Sequence, residues 1–384
     1  MPQAGTDPFT DNTISKETIG KVNYAIVLFG TGISKALSSN DASDWKGQIR
    51  RLAEGRDEKD SIEKMLKSGQ PYHYTAMLHV LRRALGKEGW KERFNSCVSA
   101  VVEEKRGGAI ADEWHQLLRE MGKASKERQL GLATTNFDDL VALASGLKVI
   151  SRTGVVYDPK LNTSDAPDPV HILPSAPLPG REGGAQDMTE SKRMVLRLWS
   201  NHENLAGSLR SEIWERAAGV LHIHGWYRLQ EELVIDPVDY HLARDRAIGS
   251  DLTATLLVNA LLNPSVLVVF AGLGDSVFDD HFTEIFHQCA DLKKRKEKGF
   301  NAETNLWLLN PHANREHPQN LDDSIRGYLT DLGKKADGFD MKSPLTPVFY
   351  ESNNDTDYSQ APSKLREILT RFKRLPLPGR SPTT

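Results

Sequence analysis

Tyr24-Ala25-Ile26-Val27-Leu28-Phe29-Gly30-Thr31-Gly32-Ile33-Ser34 is the stretch on which the fold turns. Six apolar residues in a row suit a strand covered on both faces, which is the habit of parallel sheets. The glycines that follow allow a tight turn, and Ile33-Ser34 reads as the start of a helix. The same grammar recurs downstream. Gln129 to Ala133 ends at Thr134-Thr135-Asn136, Gly219 to Ile223 ends at His224-Gly225, and Val266 to Phe270 ends at Ala271-Gly272-Leu273-Gly274. Asn305 to Leu309 and Thr346 to Tyr350 supply a fifth and a sixth strand. Apolar strands alternating with helical patterns predict an α/β fold, a Rossmann-like parallel sheet with helices on both faces.

Between the first two strands the pattern turns helical. Ser61 to Leu66, Tyr72 to Leu85 and Trp90 to Glu104 carry helical spacing, so residues of about 45–125 read as a helical insertion or small subdomain. Residues of about 152–190 are rich in Pro, Gly, Asp and Ser and read as a surface excursion or lid. A helical stretch over 191–217 leads back to the sheet, and Ser363 to Phe372 reads as a terminal helix. The expected division is an N-terminal arm over 1–20, one domain over 21–374 and a disordered tail over 375–384.

Composition bounds the rest. A net charge of −3 gives no bulk drive toward nucleic acid or an anionic membrane. The basic run Lys293 to Lys298 reads as a solvated helix end. Cys97 and Cys289 are the two cysteines, too few for a disulfide framework or a cysteine-rich metal site. The polar N-terminus lacks the pattern of a secretion signal. The longest apolar run, Ser265 to Leu273, is about half a membrane span. A soluble, cytoplasmic protein is expected.

Chemistry gathers where the strands end. In open parallel sheets, ligands bind beyond the carboxyl ends of the strands. Gly30-Thr31-Gly32-Ile33-Ser34, Thr134-Thr135-Asn136-Phe137-Asp138, His222-Ile223-His224-Gly225 and Gly272-Leu273-Gly274-Asp275 all fall there. A Gly-rich turn before a helix lets backbone N–H groups approach a pyrophosphate. Lys35 occupies the place of the third glycine of a dehydrogenase fingerprint, which argues against an ordinary NAD dehydrogenase. Asp139 reads as a helix N-cap. His222 reads either as a buried group or as one that supports the site.

These ordered motifs, with Asp279 downstream of Gly272, resemble those of sirtuins, and most closely the bacterial sirtuin-like effectors of anti-phage defence. The resemblance runs over about residues 22–350. It implies NAD as the substrate and no metal. It implies that Asn136 orients the attacking water or the ribose, that His224 is the general base, and that Asp138 holds the loop or the nicotinamide-ribose region. Gly30, Thr31, Gly32 and Ser34 would cradle the phosphates, with Thr135 and Gly225 also against NAD. Gly272 and Gly274 would face the adenosine half, and Asp279 would line that pocket or support it. Trp45 falls where the family keeps a lid segment. The four-cysteine zinc ribbon of the deacetylases cannot be built here, and the Pro-Asp-Phe-Arg sequence that follows their Gly-Ile-Ser segment is missing.

The expected function is therefore an NAD+ glycohydrolase that yields nicotinamide and ADP-ribose, a regulated effector of abortive infection. The resemblance implies a homo-oligomer or a separately encoded partner, such as a DNA-translocase-type ATPase or a short Argonaute. No membrane or direct nucleic-acid partner is expected. A protein deacylase or ADP-ribosyltransferase, a non-catalytic NAD or nucleotide sensor, and a scaffold for interactions are the other readings of the same motifs.

Overall fold

The structure is a computed structural model that describes residues 14–67, 73–152, 155–160, 170–171, 218–240, 242, 257, 260–272, 303–309, 346–351 and 358–375. Among the described residues, nine strands are present: β1 (Tyr24–Phe29), β2 (Leu130–Thr134), β3 (Lys148–Ile150), β4 (Val155–Tyr157), β5 (Val170–His171), β6 (Gly219–His222), β7 (Val266–Ala271), β8 (Asn305–Leu309) and β9 (Thr346–Phe349). They form one sheet in the order β5-β4-β3-β6-β2-β1-β7-β8-β9. The seven strands β3-β6-β2-β1-β7-β8-β9 pair parallel, and β4 and β5 extend the β3 edge antiparallel. The fold is α/β and Rossmann-like. Every residue of β1 and of β7 is buried, as strands covered on both faces must be.

All six expected strands are present within a residue or so of their expected limits. The three additional strands are two or three residues long, too short to carry a periodic signal. Two of them lie in the 152–190 stretch, so its described part is sheet edge as well as surface loop. Residues 161–169 and 172–217 lie outside the described residues, and so do the 293–298 basic run and residues 376–384.

Among the described residues, the helices are α1 (Lys16–Lys21), α2 (Thr31–Leu37), α3 (Trp45–Ala53), α4 (Lys59–Lys67), α5 (His73–Glu103), α6 (Ala109–Lys126), α7 (Leu140–Ser145) and α8 (Ala361–Arg371). Gly86 breaks α5, with a φ of 66° that falls in the left-handed region. The break lies between the two helices expected from the pattern. Helix α6 shows why this segment folds as it does: Ala111, Trp114, Leu117, Leu118, Met121 and Ala124 fall on one face, and all are buried. Among the described residues, the helical block shares the core of the sheet. Ile49, Leu52, Met77, Phe94 and Trp114 belong to the same buried cluster as Val27, Phe29 and Leu132 of the sheet. Its buried face therefore packs directly onto the sheet.

Both ends of the described chain are anchored. Ser15 caps α1, and Ser15 and Thr18 bond the Glu303 carboxylate just before β8, which ties the last part of the expected arm to the sheet. Leu375, the first residue assigned to the tail, is buried after α8 and bonds back to Leu369. No helix among the described residues is long and apolar enough to cross a membrane.

Candidate functional site

The register of the sheet aligns the four motifs. Phe29 lies opposite Thr134 on one side and Ala271 on the other, and Thr134 lies opposite His222. The residues that follow on β1, β2, β6 and β7 therefore leave one edge of the sheet side by side, on strands about 4.8 Å apart. The chain runs from β1 toward β2 in one direction and from β7 toward β8 in the other. The order thus reverses between β1 and β7, and such reversals are where α/β sheets open a binding crevice.

At that reversal two glycines meet. The Gly32 N–H donates to the Gly272 carbonyl at 3.0 Å, and a Cβ on Gly32 would lie 2.9 Å from the Gly272 Cα. Gly272 has a φ of 66°. Together they let the start of α2 sit directly against the end of β7, which no side chain at Gly32 would allow. Gly30 is fixed by its N–H to the Ala271 carbonyl at 3.0 Å. Thr31 and Thr135 are half-buried, and the Thr135 N–H bonds the Phe29 carbonyl at 2.9 Å. Gly274 and Asp279 lie outside the described residues.

Asn136 is the pivot of the β2 loop. Its Nδ2 donates to the Gly30 carbonyl at 2.9 Å and to the Ser34 hydroxyl at 2.8 Å. A carbonyl can only accept, so this contact fixes which end of the amide is nitrogen. Its Oδ1 is buried and has no hydrogen-bond partner among the described residues. The Ser34 hydroxyl donates onward to Asp138 Oδ2 at 2.6 Å, while Asp138 Oδ1 accepts from the Leu140 N–H at 3.1 Å. Ser34, expected against phosphate, thus has its hydroxyl committed to bracing Asn136 and Asp138. Burial pushes the Asp138 carboxyl above the usual range, against the pull of the Ser34 and Leu140 bonds.

Asp139 occupies the N-cap position of α7 but makes no capping bond with its side chain; the bond to Leu140 comes from Asp138. The Asp139 carboxylate instead accepts from the Trp226 indole N–H and pairs with Arg228 at 3.2 Å. Arg228 also lies over the rings of Trp226 and Tyr227, 5.2 and 5.3 Å from their centroids. Burial pushes the Asp139 carboxyl up to about 7, with Arg228 opposing. Pattern reading missed this cluster. Its signal is a second carboxylate beside an apolar helix start, which must find a cation if it is buried, and an arginine four residues beyond His224.

His222 is wholly buried, and its Nδ1 lies 3.0 Å from the Asn136 backbone carbonyl. Burial holds its pKa down to about 4, against the neighbouring backbone of Asn136 and Gly225. The ring is therefore neutral near pH 7, with its proton on Nδ1, because the Asn136 carbonyl can only accept. It supports the loop that carries Asn136. His224 lies two residues further along, also buried, and the Tyr240 ring meets it edge-on at 5.5 Å between centroids. On the other flank, Trp45 meets Phe137 edge-on at 5.7 Å, which puts the expected lid residue directly beside the Asn136 loop.

The neutral His222 has a measurable consequence. Its folded pKa lies below its unfolded value near 6.5, so the unfolded chain takes up the proton first. The stability it contributes is intact above pH 6.5 and is lost as the pH falls toward 4, about 3 kcal/mol in all. Asp139, raised, slopes the opposite way between about 4 and 7, so the intact protein shows only the sum. The difference in urea-unfolding free energy between wild type and His222→Gln isolates the histidine. That difference is expected to shrink by about 3 kcal/mol from pH 7 to pH 4, and a pH-independent difference would contradict a neutral His222.

A cavity of about 390 Å³ lined by Lys126, Lys148, Asp158 and Lys160 opens at the amino ends of β3 and β6, the opposite edge from these loops. It takes no part in this constellation. No family model matches the chain, and no curated protein does either. The geometry of the strand ends therefore carries the functional argument.

Proposed function

We propose that the protein is an NAD+ glycohydrolase whose reacting centre lies between Asn136 and His224. The supporting observation is the Asn136 amide: its nitrogen is held by two acceptors, and its buried oxygen has no partner among the described residues. A buried acceptor of this kind is costly unless something fills it. A ribose hydroxyl or the attacking water would do so.

The chemistry asks for little more. Nicotinamide leaves NAD as a neutral molecule, the C1′–N bond breaking with its electron pair going to the ring nitrogen, so no acid is required. The ribose passes through an oxocarbenium-like state that water captures at C1′. His224 would take the proton that this water loses, a role worth about 10²–10⁴-fold in rate. Asn136 would hold the water or the ribose in line, with Ser34, Asp138 and His222 fixing Asn136 itself. Gly30, Thr31, Gly32 and Thr135 would lie along the phosphates, with Gly225, Gly272 and Gly274 completing the NAD pocket and Asp279 supporting it.

The resemblance to sirtuin-like effectors extends the proposal to anti-phage defence, where NAD depletion halts the infected cell. Such an activity needs restraint, which points to control by oligomerisation or by a separately encoded partner in the cytoplasm.

The test is to incubate the purified chain with NAD and no acceptor, alone and with proteins that co-purify with it, and to follow products by chromatography. Equimolar nicotinamide and ADP-ribose are expected. Nicotinamide that appears only when an acylated or acceptor protein is added would replace the proposal with a deacylase or ADP-ribosyltransferase. NAD binding by calorimetry with no cleavage in any mixture would replace it with a sensor.

A further inference from the structure

We infer that Arg82, on helix α5 of the helical block, is a positioning residue that sets the place of His224. The inference rests on the reading of His224 as the base of NAD cleavage. A continuous set of contacts carries it. Arg82 Nη1 donates to Asp236 Oδ2 at 3.1 Å and to Asp239 Oδ2 at 2.7 Å, and His79 Nδ1 lies 3.3 Å from the same Asp236 oxygen. The other Asp236 oxygen accepts the N–H groups of Val238 and Asp239, at 2.9 and 3.1 Å, and the Tyr240 N–H bonds the Asp236 carbonyl at 3.0 Å. Arg82 therefore grips a short, internally bonded turn whose last residue, Tyr240, is buried against the His224 ring. A second tie runs from the same strand of chain, as the Val234 N–H bonds the His224 carbonyl at 2.8 Å.

The geometry around Arg82 points the same way. Tyr240 and Val234 form a small buried cluster apart from the main core, which reaches the start of this turn at Ile235. The ion pairing to α5 grips its polar side. Arg82 also stands 6.0 Å over the Trp90 ring, which stacks on Phe94 at 5.2 Å. Phe94 in turn meets Phe137, the neighbour of Asn136, at 5.5 Å. The two segments of α5 on either side of Gly86 thus abut both loops of the proposed reacting centre, and Arg82, with His79, links the first segment to the His224 side. A residue that fixes the angle of a base acts on the reaction without touching the substrate, and small misplacements of such groups are costly in rate.

The experiment combines kinetics with histidine spectra of the full chain. With the histidines labelled by ¹³C, the His224 signal is identified among the 12 histidines by its absence in His224→Gln. Arg82→Ala is expected to move or broaden that signal and to lower kcat about tenfold or more with KM held within about threefold. Arg82→Lys keeps a cation between the two carboxylates and is expected to restore both. Asp239→Asn, which leaves the Arg82 to Asp236 pair in place, is the milder variant should Arg82→Ala fail to fold, and it is expected to shift the same signal. A His224 signal and kcat that match wild type in Arg82→Ala, with only Tm lowered, would reduce Arg82 to a strut and overturn the inference. A His224 signal that moves in a chain that cleaves no NAD in any mixture would overturn the hydrolase reading, and Arg82's part in that reaction with it.

Discussion

Replacing Asn136 with alanine is expected to slow nicotinamide release by roughly 10²–10³-fold, the range seen when one preorganised polar group is removed from a reacting centre. Two losses combine in this variant. The Oδ1 acceptor that would orient water or ribose disappears. The Gly30 carbonyl and the Ser34 hydroxyl also lose the donor that holds them, so the turn after β1 loosens from the loop after β2. The second loss is expected to lower stability by about 1–3 kcal/mol, since buried acceptors are left unsatisfied. Asn136→Asp separates the two effects. A carboxylate keeps the acceptor and the shape but sets an anion against the Gly30 carbonyl and beside the buried Asp138. It should therefore destabilise the chain at pH 7 more than alanine does and recover as the pH falls and the carboxyl protonates. NAD affinity by calorimetry should change far less than kcat in the alanine variant. An Asn136→Ala protein that cleaves NAD at the wild-type rate would remove Asn136 from the reaction and with it the main support for the hydrolase reading.

What was legible in the sequence was whatever the parallel sheet imposes. A strand covered on both faces must be apolar at nearly every position, so β1, β2, β6 and β7 announce themselves, and their carboxyl ends fix where Gly30, Asn136, His224 and Gly272 must gather. Side-chain partners were not legible in the same way. Ser34 belongs by pattern to a phosphate turn, yet its hydroxyl is engaged by residues 102 and 104 positions away. Asp138 and Asp139 are adjacent and alike in sequence, and only packing divides them: one braces Ser34, the other pairs with Arg228. Tyr240 and Arg82 gave no local signal, because their part depends on α5 crossing back over the loop that follows His224. Periodicity reports which face of an element is buried, not which loop it meets.

Gly225→Ala is expected to cost the most stability of any conservative change at the site. Gly225 follows the proposed base directly and has a φ of 90°, where an L side chain is strained by about 1–3 kcal/mol. Its added Cβ would also lie 2.5 Å from the Glu232 carbonyl oxygen and 3.0 Å from the Leu233 Cα, both backbone atoms. That backbone has little room to yield. Val234 is bonded to His224 at 2.8 Å, and the Glu232 carboxylate accepts from the Arg152 N–H at 3.0 Å. Overpacking adds about 1–3 kcal/mol, so about 2–6 kcal/mol in total is expected, measured by urea unfolding. Gly55→Ala supplies the control: its φ is 70°, but a Cβ there would meet nothing within 4 Å. It should show the backbone strain alone and leave NAD cleavage unchanged. The excess loss in Gly225→Ala over Gly55→Ala therefore reads the contact with Glu232. Relief of that contact can come only by moving the turn, which carries His224 with it, so kcat should fall even under conditions where the variant remains folded. Equal losses in the two variants, with cleavage intact in both, would mean that the turn adapts freely and that its close packing does not place the histidine.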